Sequence, residues 1–122
     1  MNALLTYRRL TEADIPTFVT MRITQLKEEG AQSDLDLEPA LTAYYQKHLA
    51  DGTFVSWLAV DGEKIVGTSG MSFVEKPPYY SNPTGKIGLL SSMYTNPAYR
   101  RQGIARKLLD HVVEEARTYG CG

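Results

Sequence analysis

The amino-acid sequence predicts a mixed α/β domain whose sheet carries helices on both faces. Three observations carry this expectation. Two stretches with helical spacing of apolar residues fill the first half, and from Phe54 onward the pattern changes to runs of strand formers. An Asp61-Gly62 pair separates two such runs, the mark of a tight hairpin. A strongly amphipathic segment follows Gly103. The order read from these signals is strand, helix, helix, strand, strand, strand, helix.

Each element has a local reason. Leu4 to Leu10 mixes apolar and basic residues as a short strand. Thr11 suits a helix N-cap, with Asp14 in a capping-box position and Pro16 in the first turn. Ile15, Phe18, Val19, Arg22, Ile23 and Leu26 recur at helical spacing, so a helix runs to about Glu29 and stops at Gly30. Ala31–Asp36 is polar and reads as a loop. Pro39 fits the first position of a second helix, which Leu41, Tyr44, Tyr45, His48 and Leu49 continue to Ala50. Phe54 to Val60 is rich in strand formers, and Lys64 to Glu75 is the return strand of the hairpin. Three prolines and Gly85 make Lys76–Gly85 a long loop carrying Tyr79 and Tyr80. Ile87 to Thr95 points apolar residues both ways, as a strand covered on both faces does, and Asn96-Pro97 stops it. In the last helix Ile104, Ala105, Leu108, Leu109, Val112, Val113 and Ala116 form a broad apolar stripe. His111 falls on its polar face, and Gly120 suits the position just past its end.

Composition narrows the function classes. A chain of 122 residues, 43% hydrophobic and 22% charged, suffices for one soluble domain over residues 1–122. A net charge of -1 supplies no global field for nucleic acid, and the Arg100, Arg101, Arg106 and Lys107 cluster is small, so nucleic-acid binding is disfavoured. The single cysteine, Cys121, excludes an internal disulfide and fits a reducing compartment. With no leader pattern and no long apolar run, a cytoplasmic location without membrane association is expected. His48 and His111 show no metal-ligand spacing.

The most informative stretch is Arg100-Arg101-Gln102-Gly103-Ile104-Ala105. A glycine loop at a helix start is an anion cradle, because the first amides lack intrahelical partners and the helix dipole adds partial positive charge. Two arginines add full charges with a geometry matched to phosphate oxygens. An ordinary strand-to-helix turn with solvated arginines is the competing reading.

The element order and this loop together resemble the GNAT superfamily of acyl-CoA-dependent N-acyltransferases. The family's signature, Arg/Gln-x-x-Gly-x-Gly/Ala, joins its fourth strand to its third helix, and Arg100 to Ala105 matches it. Met93-Tyr94-Thr95-Asn96-Pro97-Ala98-Tyr99 is similar to the family's hydrophobic-x-Val-x-Pro-x-Tyr approach, with Thr95 in place of valine. The resemblance spans nearly the whole chain. It implies a mainly antiparallel sheet, acetyl-CoA as co-substrate, no metal, and N-acetyl transfer to a primary amine of a small molecule or peptide. Loop amides from Arg101 through Gln102, Gly103 and Ile104 to Ala105 would hold the pyrophosphate of coenzyme A. Backbone groups of Met93, Tyr94 and Thr95 would pair with the pantetheine arm, and Arg100, Arg101 and Arg106 are candidate phosphate contacts.

The resemblance leaves the catalytic residues open. Many relatives place a glutamate on the fourth strand, where this chain has Ser91 and Ser92. Neither serine is a base unaided, and Glu75 reads better as a solvated strand end, so no general base is assigned. Tyr44, Tyr45, Tyr79 and Tyr80 either border an acceptor pocket or serve packing and a loop tip. Glu28, Glu29, Asp34, Asp36 and Glu38 concentrate negative charge that would favour a cationic amine. Cys121 reads as the start of a further buried strand. Residue 122 falls where a relative begins its fifth strand, so the resemblance implies a domain truncated before that strand. An open edge on the fourth strand then favours self-association, as a homodimer. A non-catalytic acyl-CoA-binding or assembly module is the alternative function.

Overall fold

A computed structural model describes residues 5–30 and 35–121. The order is β1 (Leu5–Arg9), α1 (Ile15–Glu28), α2 (Glu38–Asp51), β2 (Phe54–Val55), β3 (Trp57–Asp61), β4 (Lys64–Glu75), β5 (Lys86–Thr95) and α3 (Ile104–Tyr119). Single 3-10 turns at Glu12–Asp14 and Pro97–Tyr99 lead into α1 and the loop before α3. All strand pairs are antiparallel. β3 pairs with β1 and β4, β2 continues along the same edge of β4, and β5 pairs with the opposite edge. The sheet stays open, and the second edge of β5 has no partner strand among the described residues.

Side-chain alternation sorts the two faces. Leu58 and Val60 join Ile15, Phe18, Val19 and Tyr45 in a core beneath α1 and α2. Ala59, one residue out of phase, packs with Val66, Ile104 and Leu108 beneath α3. Gly67 brings that helix close: a Cβ there would meet Ile104 Cγ2 at 3.0 Å and Leu108 Cδ1 at 3.1 Å.

The entry to α1 follows the expected chemistry. Asp14 accepts from the Thr11 N–H at 2.8 Å and from its hydroxyl at 2.9 Å. Arg8 grips the same carboxylate in fork geometry at 2.7 and 2.9 Å, tying β1 to the helix start. Chiefly through the Arg8 hydrogen bond, with Thr11 adding to it against partial burial, the Asp14 carboxyl is held down at about 2. A lowered native value stabilises the fold above the usual carboxylate range, and that contribution is lost as pH falls toward about 2. Asp14→Asn is expected to cost about 1 kcal/mol near neutral pH, because it removes the charge pair with Arg8 and leaves only a neutral acceptor for Thr11. Urea titrations should show the gap to wild type closing between about pH 4 and pH 2.

Several sequence expectations are corrected. The strand read over residues 54–60 is broken at Ser56, whose carbonyl accepts from the Leu10 N–H at 2.8 Å. The Ser69 hydroxyl replaces a ladder bond there, accepting from the Trp57 N–H at 3.1 Å and donating to its carbonyl at 2.9 Å. The strand read as fourth is therefore β5. It is not covered on both faces throughout: Leu89 and Leu90 are about half exposed at the rim of the sheet. The α3 stripe is narrower than expected, with Ile104, Leu108 and Val112 fully buried and Val113 40% exposed. His111 is half-buried rather than solvated, because its ring stacks on Trp57 at 4.0 Å between centroids. The Cys121 N–H donates to the Ala116 carbonyl at 3.0 Å and closes α3, and the residue after it lies outside the described residues. Residues 31–34 of the loop before α2, with Asp34, lie outside the described residues.

Candidate functional site

The end of β5 and the start of α3 meet at a loop with unusual backbone. Arg101 takes φ +66°, a left-handed conformation that costs a non-glycine residue about 1–3 kcal/mol. Gly103 takes φ +79° without that penalty, and a Cβ on it would meet no protein atom within 4 Å. The first intrahelical bond of α3 runs from the Lys107 N–H to the Gly103 carbonyl at 3.2 Å. The amides from Gly103 to Arg106 thus precede the helical ladder. No acidic residue occupies the first turn and no side chain caps it; Arg106 stands there instead. Helix N-termini favour negative charge, so this one is arranged for an anion from outside the helix.

A cavity of about 460 Å³ opens beside this terminus. Its wall contains Met93, Tyr94 and Thr95 from β5 together with Arg100, Arg101, Gly103, Ile104, Ala105 and Arg106. Of the residues singled out from the sequence as cofactor contacts, only Gln102 is not on the wall; it is exposed in the loop. Gln25, Glu28, Glu29 and Tyr99 complete the lining and were not singled out as cofactor contacts.

The arginines divide by their partners. The Arg100 Nε donates to the Thr95 carbonyl at 2.8 Å, and its Nη2 pairs with Glu28 at 3.2 Å. Tyr94 donates its hydroxyl to the same carboxylate at 2.9 Å, and Arg100 lies over the Tyr94 ring. Arg100 is therefore a buttress joining α1, β5 and the loop. The Tyr94 hydroxyl first, and Arg100 second, hold the Glu28 carboxyl below its usual range. Burial and the bond to Glu28 push the Tyr94 hydroxyl up. Arg106 pairs with Asp110 at 3.4 Å, but both are well exposed, a geometry of little energetic weight. Arg101 is exposed and has no ion pair among the described residues. Tyr99 anchors the far side of the loop by donating to Asp61 at 2.6 Å, a bond that raises its pKa.

β5 carries a bulge at the cavity. Thr68 pairs with Tyr94 and Gly70 with Ser91, so Ser92 and Met93 together oppose Ser69. Ser92 sits at φ +56°. Its hydroxyl lies 3.5 Å from the Tyr45 hydroxyl, and both residues are buried. Ser92 thus faces the core, and Tyr45 packs against Phe18 and Phe54. Tyr44 is 38% exposed and shares a hydrogen bond with Ser72 at 2.8 Å. Tyr79 and Tyr80 are exposed on the loop, and Glu75 is exposed at the end of β4. The acidic residues among those described have separate partners: Glu28 pairs with Arg100, Asp36 accepts from the Glu38 N–H at 3.1 Å, and Glu29 lines the cavity.

The described residues contain no group of three or more histidine, cysteine or acidic side chains placed for a metal, and no helix long and apolar enough to cross a membrane. A comparison with curated proteins gave no match. Among solved structures, the chain is similar to a protein from Clostridium acetobutylicum described as a predicted acetyltransferase and solved with acetyl-CoA. The two are 36% identical over 94% of this chain and 75% of that one, with a TM-score of 0.91. It shares its fold with a GCN5-related N-acetyltransferase from Ralstonia eutropha JMP134, at 23% identity over 96% and 78% of the two chains and a TM-score of 0.87. The same fold appears in an aminoglycoside acetyltransferase from an uncultured soil metagenomic sample, in complex with sisomicin. That match has 24% identity, 96% and 72% coverage and a TM-score of 0.69. The family model for the acetyltransferase (GNAT) family matches residues 18–122, and the chain belongs to that family.

Proposed function

We propose that this chain transfers an acetyl group from acetyl-CoA to a primary amine, with the cavity at the β5–α3 junction as the cofactor site. The observation that carries the reading is the α3 terminus. Its first amides precede the helical ladder, its first turn holds no carboxylate, and Gly103 leaves open space beside them. That donor set fits a pyrophosphate, with Arg101 and Arg106 as full charges on the same wall. The pantetheine arm would run along Met93 to Thr95 and pair with the backbone like an added strand. A backbone N–H of the bulge is suited to stabilise the oxyanion that forms when the amine attacks the thioester carbonyl. The amine must lose a proton on the way, and no side chain is assigned as its acceptor. A cytoplasmic setting, where acetyl-CoA is available, belongs to the same proposal.

Calorimetric titration with acetyl-CoA, followed by thiol release with an amine panel, tests the proposal. Saturable binding and amine-dependent thiol release are expected. Binding without turnover would favour a cofactor-binding module, a reading to which the serines at positions 91 and 92 lend support. No binding would overturn both.

A further inference from the structure

The bulge that faces the cavity is built on a non-glycine left-handed residue, so something must hold it. Two buried side chains do. Thr68, 3% exposed, donates its hydroxyl to the Ser92 carbonyl at 2.7 Å. Gln25, 7% exposed, reaches from α1 and donates its Nε2 to the Met93 carbonyl at 2.9 Å. These carbonyls belong to the two peptide planes that flank the Met93 Cα. In a planar trans peptide, fixing the C=O also fixes the N–H on its opposite side. The Met93 N–H is thereby directed away from Thr68, on a residue that lines the cavity.

The Gln25 amide is itself held in one orientation. Arg22, which can only donate, bonds Gln25 Oε1 at 2.9 Å. Glu29, which can only accept, stands 3.3 Å from Gln25 Nε2. A polar side chain on the inner face of α1 is costly unless it is hydrogen-bonded, and here both amide donors and the carbonyl oxygen have partners. An apolar residue would fill the same space but would leave the Met93 carbonyl without this donor.

We propose that Gln25 is a positioning residue for acetyl transfer: with Thr68 it fixes the β5 bulge so that the Met93 N–H meets the acyl carbonyl as it becomes an oxyanion. The inference rests on the acetyltransferase reading above. Gln25 lines the cavity on the side of β5 and bonds the Met93 carbonyl, so its loss should lower turnover more than cofactor affinity.

Gln25→Met and Gln25→Glu test this, each measured for acetyl-CoA affinity by calorimetry and for kcat with the best amine of the panel. Both variants should lose at least about tenfold in kcat, and several-fold less in acetyl-CoA affinity. Gln25→Glu adds a signature that general loosening would not produce. Its carboxylate repels the Met93 carbonyl and Glu29, but once protonated it donates again. The ratio of its kcat to that of wild type should therefore rise as pH falls, with Arg22 and Glu29 the charged groups in contact with it and Glu28, Tyr94 and Arg100 paired among themselves. Unchanged kcat in both variants, a proportional loss of affinity and turnover, or a pH-independent ratio would overturn the positioning role. A wild-type protein that binds no acetyl-CoA, or binds it without turnover, would instead overturn the acetyltransferase reading and this role with it.

Discussion

Gly103→Val is expected to weaken acetyl-CoA binding by at least about a hundredfold while the protein stays folded. Two effects act together. A β-branched residue at φ +79° is strained by about 1–3 kcal/mol, and the loop relieves that strain by moving the amides that follow it. A side chain that stays in place stands in the open space beside the α3 terminus. Gly52 is a matched control within the same chain. It closes α2 at φ 81° and ψ 7°, against 79° and 9° for Gly103, and a Cβ there also meets nothing within 4 Å. Gly52 lines no part of the cavity. Gly52→Val should therefore lose similar stability in urea titrations and keep full acetyl-CoA affinity. Equal loss of affinity in both variants would mean that the effect is strain alone.

Gly67→Val is expected to lower stability by about 1–3 kcal/mol and to reduce acetyl-CoA affinity by at least about tenfold. Gly67 lies where β4 is paired on both edges, with Ala59 of β3 and Thr95 of β5. It also lies directly beneath the first turns of α3. The new side chain would press on Ile104 and Leu108, and Ala59 Cβ at 3.3 Å leaves it no room on the other side. Ile104 is the first residue of α3, so lifting the helix displaces the amides beside it. Calorimetry and urea titration on one preparation separate the two effects. A variant destabilised as expected but binding with wild-type affinity would show that the anion site does not depend on how α3 seats on β4.

How far the sequence was legible follows from what each signal encodes. The glycine loop, the hairpin and the apolar rows of α1 and α3 are local patterns, and the structure places them within a residue or two of where they were read. Gln25 was not singled out because its meaning is tertiary: its partner is a carbonyl 68 positions away. A trace of it is nonetheless present. Phe18, Arg22 and Gln25 occupy one helical row, and polar residues on an otherwise apolar row need partners. Arg100 shows a second limit. Its charge suggested a phosphate contact, and the structure adds partners in Thr95 and Glu28, neither of which can be recognised from spacing. The break at Ser56 was equally hidden, because it depends on Ser69 inserting its hydroxyl between β3 and β4. His111 looked solvated by its place on the helical wheel, and only the position of Trp57 across the sheet shows that it is stacked.

The central claim is that the β5–α3 junction is the acetyl-CoA site. An amide-resolved NMR titration of the wild-type protein with acetyl-CoA tests it most directly. The account predicts that saturating acetyl-CoA shifts the amides of Arg101 to Arg106 and of Met93 to Thr95, while those of β1 and of the Tyr79–Asn82 turn stay put. Shifts confined to another surface, or none at all at saturation, would contradict it.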